Sequence, residues 1–122
     1  MTISVSIVED DSRVRASLAR LVDGAPGFRC VSNHSSAEDA LQDIPRFKPN
    51  VVLMDINLPG INGVDFVTQA RQIEPSIPIF IVTGNIQLPE IIRIGNMGVT
   101  QIIPKPIDIK AFLEEVQKVV IL

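Results

Sequence analysis

The chain has 122 residues, 46% of them hydrophobic, and 11 Lys and Arg stand against 14 Asp and Glu for a formal charge of −3. That length suits one domain with its own core, and that apolar content excludes a disordered chain. The mildly acidic balance excludes a nucleic-acid surface spread over the domain, and a lone Cys30 excludes an internal disulfide and fits a reducing compartment. The start "MTISVSIVEDD" lacks the basic n-region of a signal peptide, and the densest apolar run, "IPIFIV", is far too short to cross a bilayer. One cytoplasmic domain over residues 1–122 is the expectation.

In chain order, "ISVSIV" (Ile3 to Val8) is β-branched and reads as a strand. Val14, Leu18, Leu21 and Val22 then mark one helical face, closed by Gly24. "FRCVS" is a second strand, with Cys30 as a small buried hydrophobe and His34 in the solvated loop that follows. "SSAEDALQDI" opens on a capping box of Ser35 with Glu38 and turns Ala37, Ala40, Leu41 and Ile44 inward. "VVLM" is strand three, and a helix over Val64 to Ile73 buries Phe66, Val67 and Ala70. "IPIFIV" is strand four, continuously apolar as a strand covered on both faces should be. A weaker helix over Leu88 to Met97, a strand "TQII" and a helix from Asp108 to about Val120 complete the chain. Strands alternating with helices predict an α/β fold, a parallel sheet with right-handed crossovers.

Open α/β sheets bind ligands beyond the carboxyl ends of their strands, where strand order reverses. Those ends carry Glu9, Asp10 and Asp11 after strand one, Asp55 after strand three, Thr83 after strand four and Lys105 after strand five. An order of 2-1-3-4-5 would bring all four ends to one rim. Carboxylates gathered there repel one another and raise one another's pKa, a penalty that a divalent cation removes. Oxygen ligands without His or Cys nearby select Mg²⁺ over zinc. A carboxylate flanked by a cation, a hydroxyl and an ammonium is suited to receiving a phosphoryl group. Taken alone, Asp55 would read as an aspartate opening a turn, Lys105 as a solvated lysine and Glu9 to Asp11 as a capping run, with Asp11 serving partly as a cap. Their convergence on one rim favours chemistry.

Four stretches, "SIVEDDSRVR", "VVLMDINLPGINGVDF", "IPIFIVTGN" and "IIPKP", carry a resemblance to the receiver domains of two-component response regulators, nearly end to end. The resemblance implies a doubly wound, flavodoxin-like fold with five parallel strands in the order 2-1-3-4-5 and five helices. It implies that Asp55 is the phosphoacceptor, taking its phosphoryl group from a histidine kinase, a histidine phosphotransfer protein or a small phosphodonor. With the "RVR" used to set the register, Asp10 would bind Mg²⁺ directly and Glu9 through water, while Asp11 falls outside the pair. Asn57 would offer its backbone carbonyl to the metal. Thr83 and Lys105 would contact the phosphate, and Pro106 would follow the lysine, often through a cis peptide. The signal would leave by the surface of helix four, strand five and helix five. The domain would not be an enzyme, although it would assist its own phosphotransfer and slow dephosphorylation.

Two other readings compete. A haloacid-dehalogenase-like phosphatase also uses an Asp at a strand end, but needs a second Asp two residues on, where this chain has Asn57, and its acidic pair comes last in the chain. A receiver-like binding module that is never phosphorylated would be expected to lose part of the Glu9, Asp10, Asp55, Thr83 and Lys105 set. Two departures from the family pattern lie on the output side: Ile102 stands where an aromatic is usual, and helix four carries Gly95 before Gly98. The resemblance also implies a second copy of the chain as a partner on phosphorylation. The "PGING" loop and the Asp55-to-Thr83 spacing are similar to receivers joined to a C-terminal helix-turn-helix domain. Any transcriptional role would belong to that separate domain, with no nucleic acid and no membrane bound by this one.

Overall fold

The computed structural model describes residues 2–84, 89–99 and 101–120. Five strands, β1 (Ile3–Val8), β2 (Phe28–His34), β3 (Val51–Asp55), β4 (Ile79–Thr83) and β5 (Gln101–Pro104), alternate with α1 (Ser12–Gly24), α2 (Ala37–Phe47), α3 (Gly63–Ile73), α4 (Pro89–Gly95) and α5 (Ile109–Val120). All pairings are parallel, in the order β2-β1-β3-β4-β5. Side chains alternate across each strand, so the sheet has two apolar faces. Val52, Met54, Ile79 and Ile81 face α2, α3 and α4, while Val5, Ile7, Leu53 and Phe80 face α1 and α5. Phe80 meets Phe112 of α5 edge-on, with ring centroids 5.1 Å apart.

Register sets the rim. Val8 pairs with Met54, Asp55 with Val82 and Thr83 with Pro104. The residues just past β1 and β5 therefore flank the ends of β3 and β4. The Lys105 amide extends the last ladder, donating to the Thr83 carbonyl at 2.8 Å.

Several local expectations need correction. The α2 N-cap is Ser36, not Ser35: Ser36 is extended (φ −138°, ψ 152°) and its side chain accepts from the Asp39 amide at 3.2 Å. The helical face read for α1 is only partly covered: Leu18 and Val22 are buried, and Val14 and Leu21 are 41% and 49% exposed. β2 runs on to His34, which pairs with Val8, so His34 is not in a solvated loop; its side chain is 9% exposed and its Nε2 lies 3.5 Å from Asp43 Oδ2. A bulge between Val5 and Ser6 in the β1–β2 pairing accompanies this longer strand. Cys30 is half-buried rather than buried. β4 starts at Ile79, two residues later than predicted. Leu88 and Thr100, the predicted starts of helix four and strand five, lie outside the described residues.

Candidate functional site

Asp55 is the last residue of β3 and only 6% exposed. Its Oδ1 accepts from the Asn57 amide at 2.9 Å, an Asx-type turn that sends the chain off the sheet and holds the carboxylate by its own loop. Its Oδ2 lies 2.6 Å from Lys105 Nζ. Gly60, at φ +91°, turns the following loop in a conformation that side chains rarely adopt, and an added Cβ there would come within 2.5 Å of Glu38 Oε2. The Lys105–Pro106 peptide that follows the lysine is cis.

Glu9, just past β1, is 6% exposed, whereas Asp10 is exposed. One carboxylate oxygen from each of Glu9, Asp10 and Asp55 falls within 4.8 Å of the others. Burial, and next the Asp55 carboxylate, push the Glu9 carboxyl up to about 7. Its Oε2 is buried with no hydrogen-bond partner among the described residues. A buried carboxylate oxygen with other carboxylates as neighbours needs either a proton or a cation. The donor set here is all oxygen, which suits a hard divalent ion. Burial works against the charge on Lys105, but Asp55, Glu9 and Asp10 together outweigh it and hold that pKa above its ordinary value.

Asp11 stands apart. It is the α1 N-cap, accepting from the Arg13 and Val14 amides at 2.9 and 3.2 Å. Thr83 is fully buried at the end of β4. The rim thus gathers Glu9, Asp10, Asp55, Thr83 and Lys105, with the Asn57 backbone against Asp55. Beside it opens a cleft of about 710 Å³ between α1 and the β5–α5 turn, lined by Val14, Leu18, Leu21, Ile107 and Ile109 and reaching Asp55 and Lys105. Val14 and Leu21, the exposed large apolar residues of α1, face this cleft.

Two contacts have no signal in a linear reading of motifs. Arg15 donates to the Glu9 carbonyl at 2.8 Å, although the "RVR" that contains it serves in the sequence only to set a register. Glu90, in the first turn of α4, accepts from the Gly63 amide at the start of α3, 3.0 Å away.

The family profile described as the response regulator receiver domain matches residues 5–117. The chain belongs to that family. It is 32% identical to the DNA-binding transcriptional regulator NtrC of Escherichia coli K12 over 116 residues, 95% of this chain but only 24% of NtrC. Among solved structures it is similar to the response regulator domain of Thermotoga maritima CheB, with a TM-score of 0.88 at 22% identity, covering all of this chain and 98% of that one. A LuxR-family DNA-binding response regulator from Staphylococcus aureus has a TM-score of 0.85 at 26% identity, covering 96% and 98%. This receiver therefore spans about a quarter of the length of NtrC. It is a phosphoacceptor signalling domain, and the phosphatase reading is not favoured. No helix among the described residues is long and apolar enough to cross a membrane.

Proposed function

We propose that residues 1–122 form one receiver domain whose phosphoacceptor is Asp55, loaded from the phosphohistidine of a histidine kinase or histidine phosphotransfer protein, or from a small phosphodonor. The observation that carries this reading is the placement of Asp55, buried at a strand end with Lys105 Nζ at 2.6 Å and two more carboxylates within 4.8 Å. An Asp55 oxygen attacks phosphorus; the bond from phosphorus to the imidazole nitrogen breaks, and its electron pair stays on the ring, whose other nitrogen already carries a proton. The products are an acyl phosphate on Asp55 and a neutral histidine on the donor.

Glu9, Asp10, Asp55 and the Asn57 backbone carbonyl would hold Mg²⁺. When bound, the ion supplies positive charge against the phosphoryl oxygens and relieves the repulsion among the carboxylates. Lys105 is a compact point charge on a flexible stem, able to leave Asp55 and follow the incoming phosphoryl group. The Thr83 hydroxyl donates to another phosphoryl oxygen. The apolar cleft beside Asp55 supports a helical donor that packs over Val14 and Leu21 while its histidine reaches the rim.

Slow hydrolysis of the acyl phosphate resets the domain, so it does not turn over a free substrate. Asn57, unlike an Asp, cannot serve as the general acid or base a phosphatase would need there. The full protein works in the cytoplasm, and the names of relatives such as NtrC support a DNA-binding output carried by a separate domain. Phosphorylation changes the surface of α4, β5 and α5, through which a second copy pairs.

Mass spectrometry after incubation with Mg²⁺ and acetyl phosphate tests the assignment. One phosphate adduct is expected, absent with chelator and absent in Asp55→Asn. An adduct that persists in Asp55→Asn rules it out.

A further inference from the structure

The turn from β1 into α1 carries both Glu9 and Asp10, and it is held from three directions. The Glu9 amide donates to the His34 carbonyl of β2 at 2.9 Å. The Asp11 side chain caps α1. From one turn inside α1, the half-buried Arg15 reaches back, and its Nη1 donates to the Glu9 carbonyl at 2.8 Å and lies 3.5 Å from the Asp10 carbonyl. The backbone of Glu9 is thus fastened at both its amide and its carbonyl. A guanidinium bonding a neutral carbonyl makes a charge-assisted contact, about twice as strong as a neutral one.

We propose that Arg15 is a positioning residue for the acidic cluster: by clamping the Glu9 and Asp10 carbonyls it aims both carboxylates at the space beside Asp55. The inference rests on the reading of Glu9, Asp10 and Asp55 as cation ligands. Arg15 could act through its charge instead, and the two effects have opposite signs. A positive charge near the cluster weakens binding of a divalent cation, whereas a preset orientation strengthens it. The contacts decide between them. Arg15 Nη1 is spent on backbone carbonyls, and among the described residues it forms no ion pair with Glu9, Asp10 or Asp55. Without the guanidinium those carbonyls turn to water, and the acidic turn must be ordered again each time a cation binds.

Isothermal titration of Mg²⁺ into the chain tests this with Arg15→Ala, Arg15→Lys and Asp10→Asn. Residues that orient metal ligands from behind change metal affinity by about 10- to 100-fold, so Arg15→Ala should weaken binding by about 10-fold. Lysine keeps the charge but replaces the fork with a single point donor, so Arg15→Lys should recover only part of that loss, to about threefold weaker than wild type. Acetyl phosphate labelling of Arg15→Ala should be slow at low Mg²⁺ and reach the wild-type rate at saturating Mg²⁺, because the orientation is restored once the ion is bound. A merely structural lesion would lower the saturated rate as well.

Unchanged Mg²⁺ affinity in Arg15→Ala, tighter binding, or a saturated rate that stays low would each overturn the inference. Should Arg15→Ala not fold, Arg15→Lys decides alone, and wild-type affinity there overturns it. If Asp10→Asn binds Mg²⁺ as wild type does, the reading of the cluster itself has failed; if Asp10→Asn loses binding while the Arg15 variants keep it, only the role of Arg15 has failed.

Discussion

The rim of the sheet and the α4–β5 side are built to different standards of rigidity. At the rim, Asp55 ends a strand in which every residue is buried, and it is held by Lys105 and by the Asn57 amide. On the other side, α4 has seven residues and buries Ile91 and Ile94, while β5 is four residues long with none of them buried. On the proposed function, the groups that would meet a phosphoryl donor in one geometry sit on elements with little freedom, as catalytic constellations require. The elements that would change state on that proposal are drawn from the weakly packed end of the structure. The two regions are joined at named points: the Lys105 amide, just past β5, donates to the Thr83 carbonyl, Glu90 of α4 holds the Gly63 amide, and Ile91 and Ile94 pack in one cluster with Ile56, the neighbour of Asp55. Substitutions should therefore abolish chemistry at the rim and only bias the response on the α4 side.

The largest effect within the rim, short of removing Asp55, is expected from Lys105→Ala. Loss of one positioned donor to a developing anion lowers rates by about 100-fold or more. Labelling by acetyl phosphate should slow on that scale while the circular dichroism spectrum stays that of the folded domain, although Asp55 is left without its 2.6 Å partner. Wild-type labelling kinetics would reduce Lys105 to a surface residue and weaken the contrast between the two regions.

Next comes the acidic pair. Asp10→Asn should weaken Mg²⁺ by about 100-fold, the upper end of what even indirect metal contacts cost. Asp11→Asn should change it less than about twofold, because Asn caps a helix nearly as well as Asp. Equal losses in a calorimetric titration would shift the acidic register by one residue.

These two predictions draw on features that were legible in the sequence, and the reason is physical. Parallel strands covered on both faces read as apolar runs, and a polar residue that ends such a run stands out. Asp55 and Thr83 have that signature, whereas Lys105 follows a short edge strand and stands out only in the stretch "IIPKP". Side-chain periodicity fails where it must: it finds the apolar stripe of α1 but not how much of the stripe another element covers, and Val14 and Leu21, on the same face as Leu18 and Val22, border an open cleft. "SSAED" contains both Ser35–Glu38 and Ser36–Asp39, two boxes one residue apart, and only the backbone angles at Ser36 choose between them. His34 reads as a loop residue in the sequence because nothing local shows that the β1–β2 pairing carries a bulge and that β2 runs on to meet Val8. Arg15 and Glu90 bond backbone groups, which have no letter in the sequence to pair with.

A smaller effect should appear in stability against pH. Burial and Asp55 raise the Glu9 carboxyl to about 7, so the folded chain holds a proton that the unfolded chain releases nearer the ordinary value of 4.5. Between those values the native state binds more protons, and stability falls as pH rises. The contribution is complete below the lower value and gone above the higher one. With chelator present, urea unfolding of wild type should show this decline relative to Glu9→Gln, and Mg²⁺ should relieve it near pH 7 by taking the place of the proton. Parallel pH curves for the two proteins would mean that Glu9 is charged throughout the range.

The smallest effects belong to the α4–β5 contact, where they still discriminate. Glycine in a helix interior costs about 1 kcal/mol relative to alanine, and less at its end, where Gly95 lies. A Cβ at Gly95 would meet Ile102 Cδ1 at 3.6 Å, an ordinary van der Waals contact, so Gly95→Ala should be accommodated and should stiffen α4 slightly. Ile102 is half-buried and β-branched, with few rotamers to move between and no hydroxyl to exchange between water and the core. Ile102→Ala should lower stability without changing what the region can do. If the response lies in the ordering of α4, Gly95→Ala should shrink the difference in amide exchange of residues 91–97 between the resting domain and the domain with beryllofluoride as phosphoryl mimic. Ile102→Ala should shift exchange in both states alike and leave the difference in place. The two sites touch, so their effects should not add, and the double variant should show coupling. Loss of the difference in Ile102→Ala, with Gly95→Ala unaffected, would move the switch back onto β5.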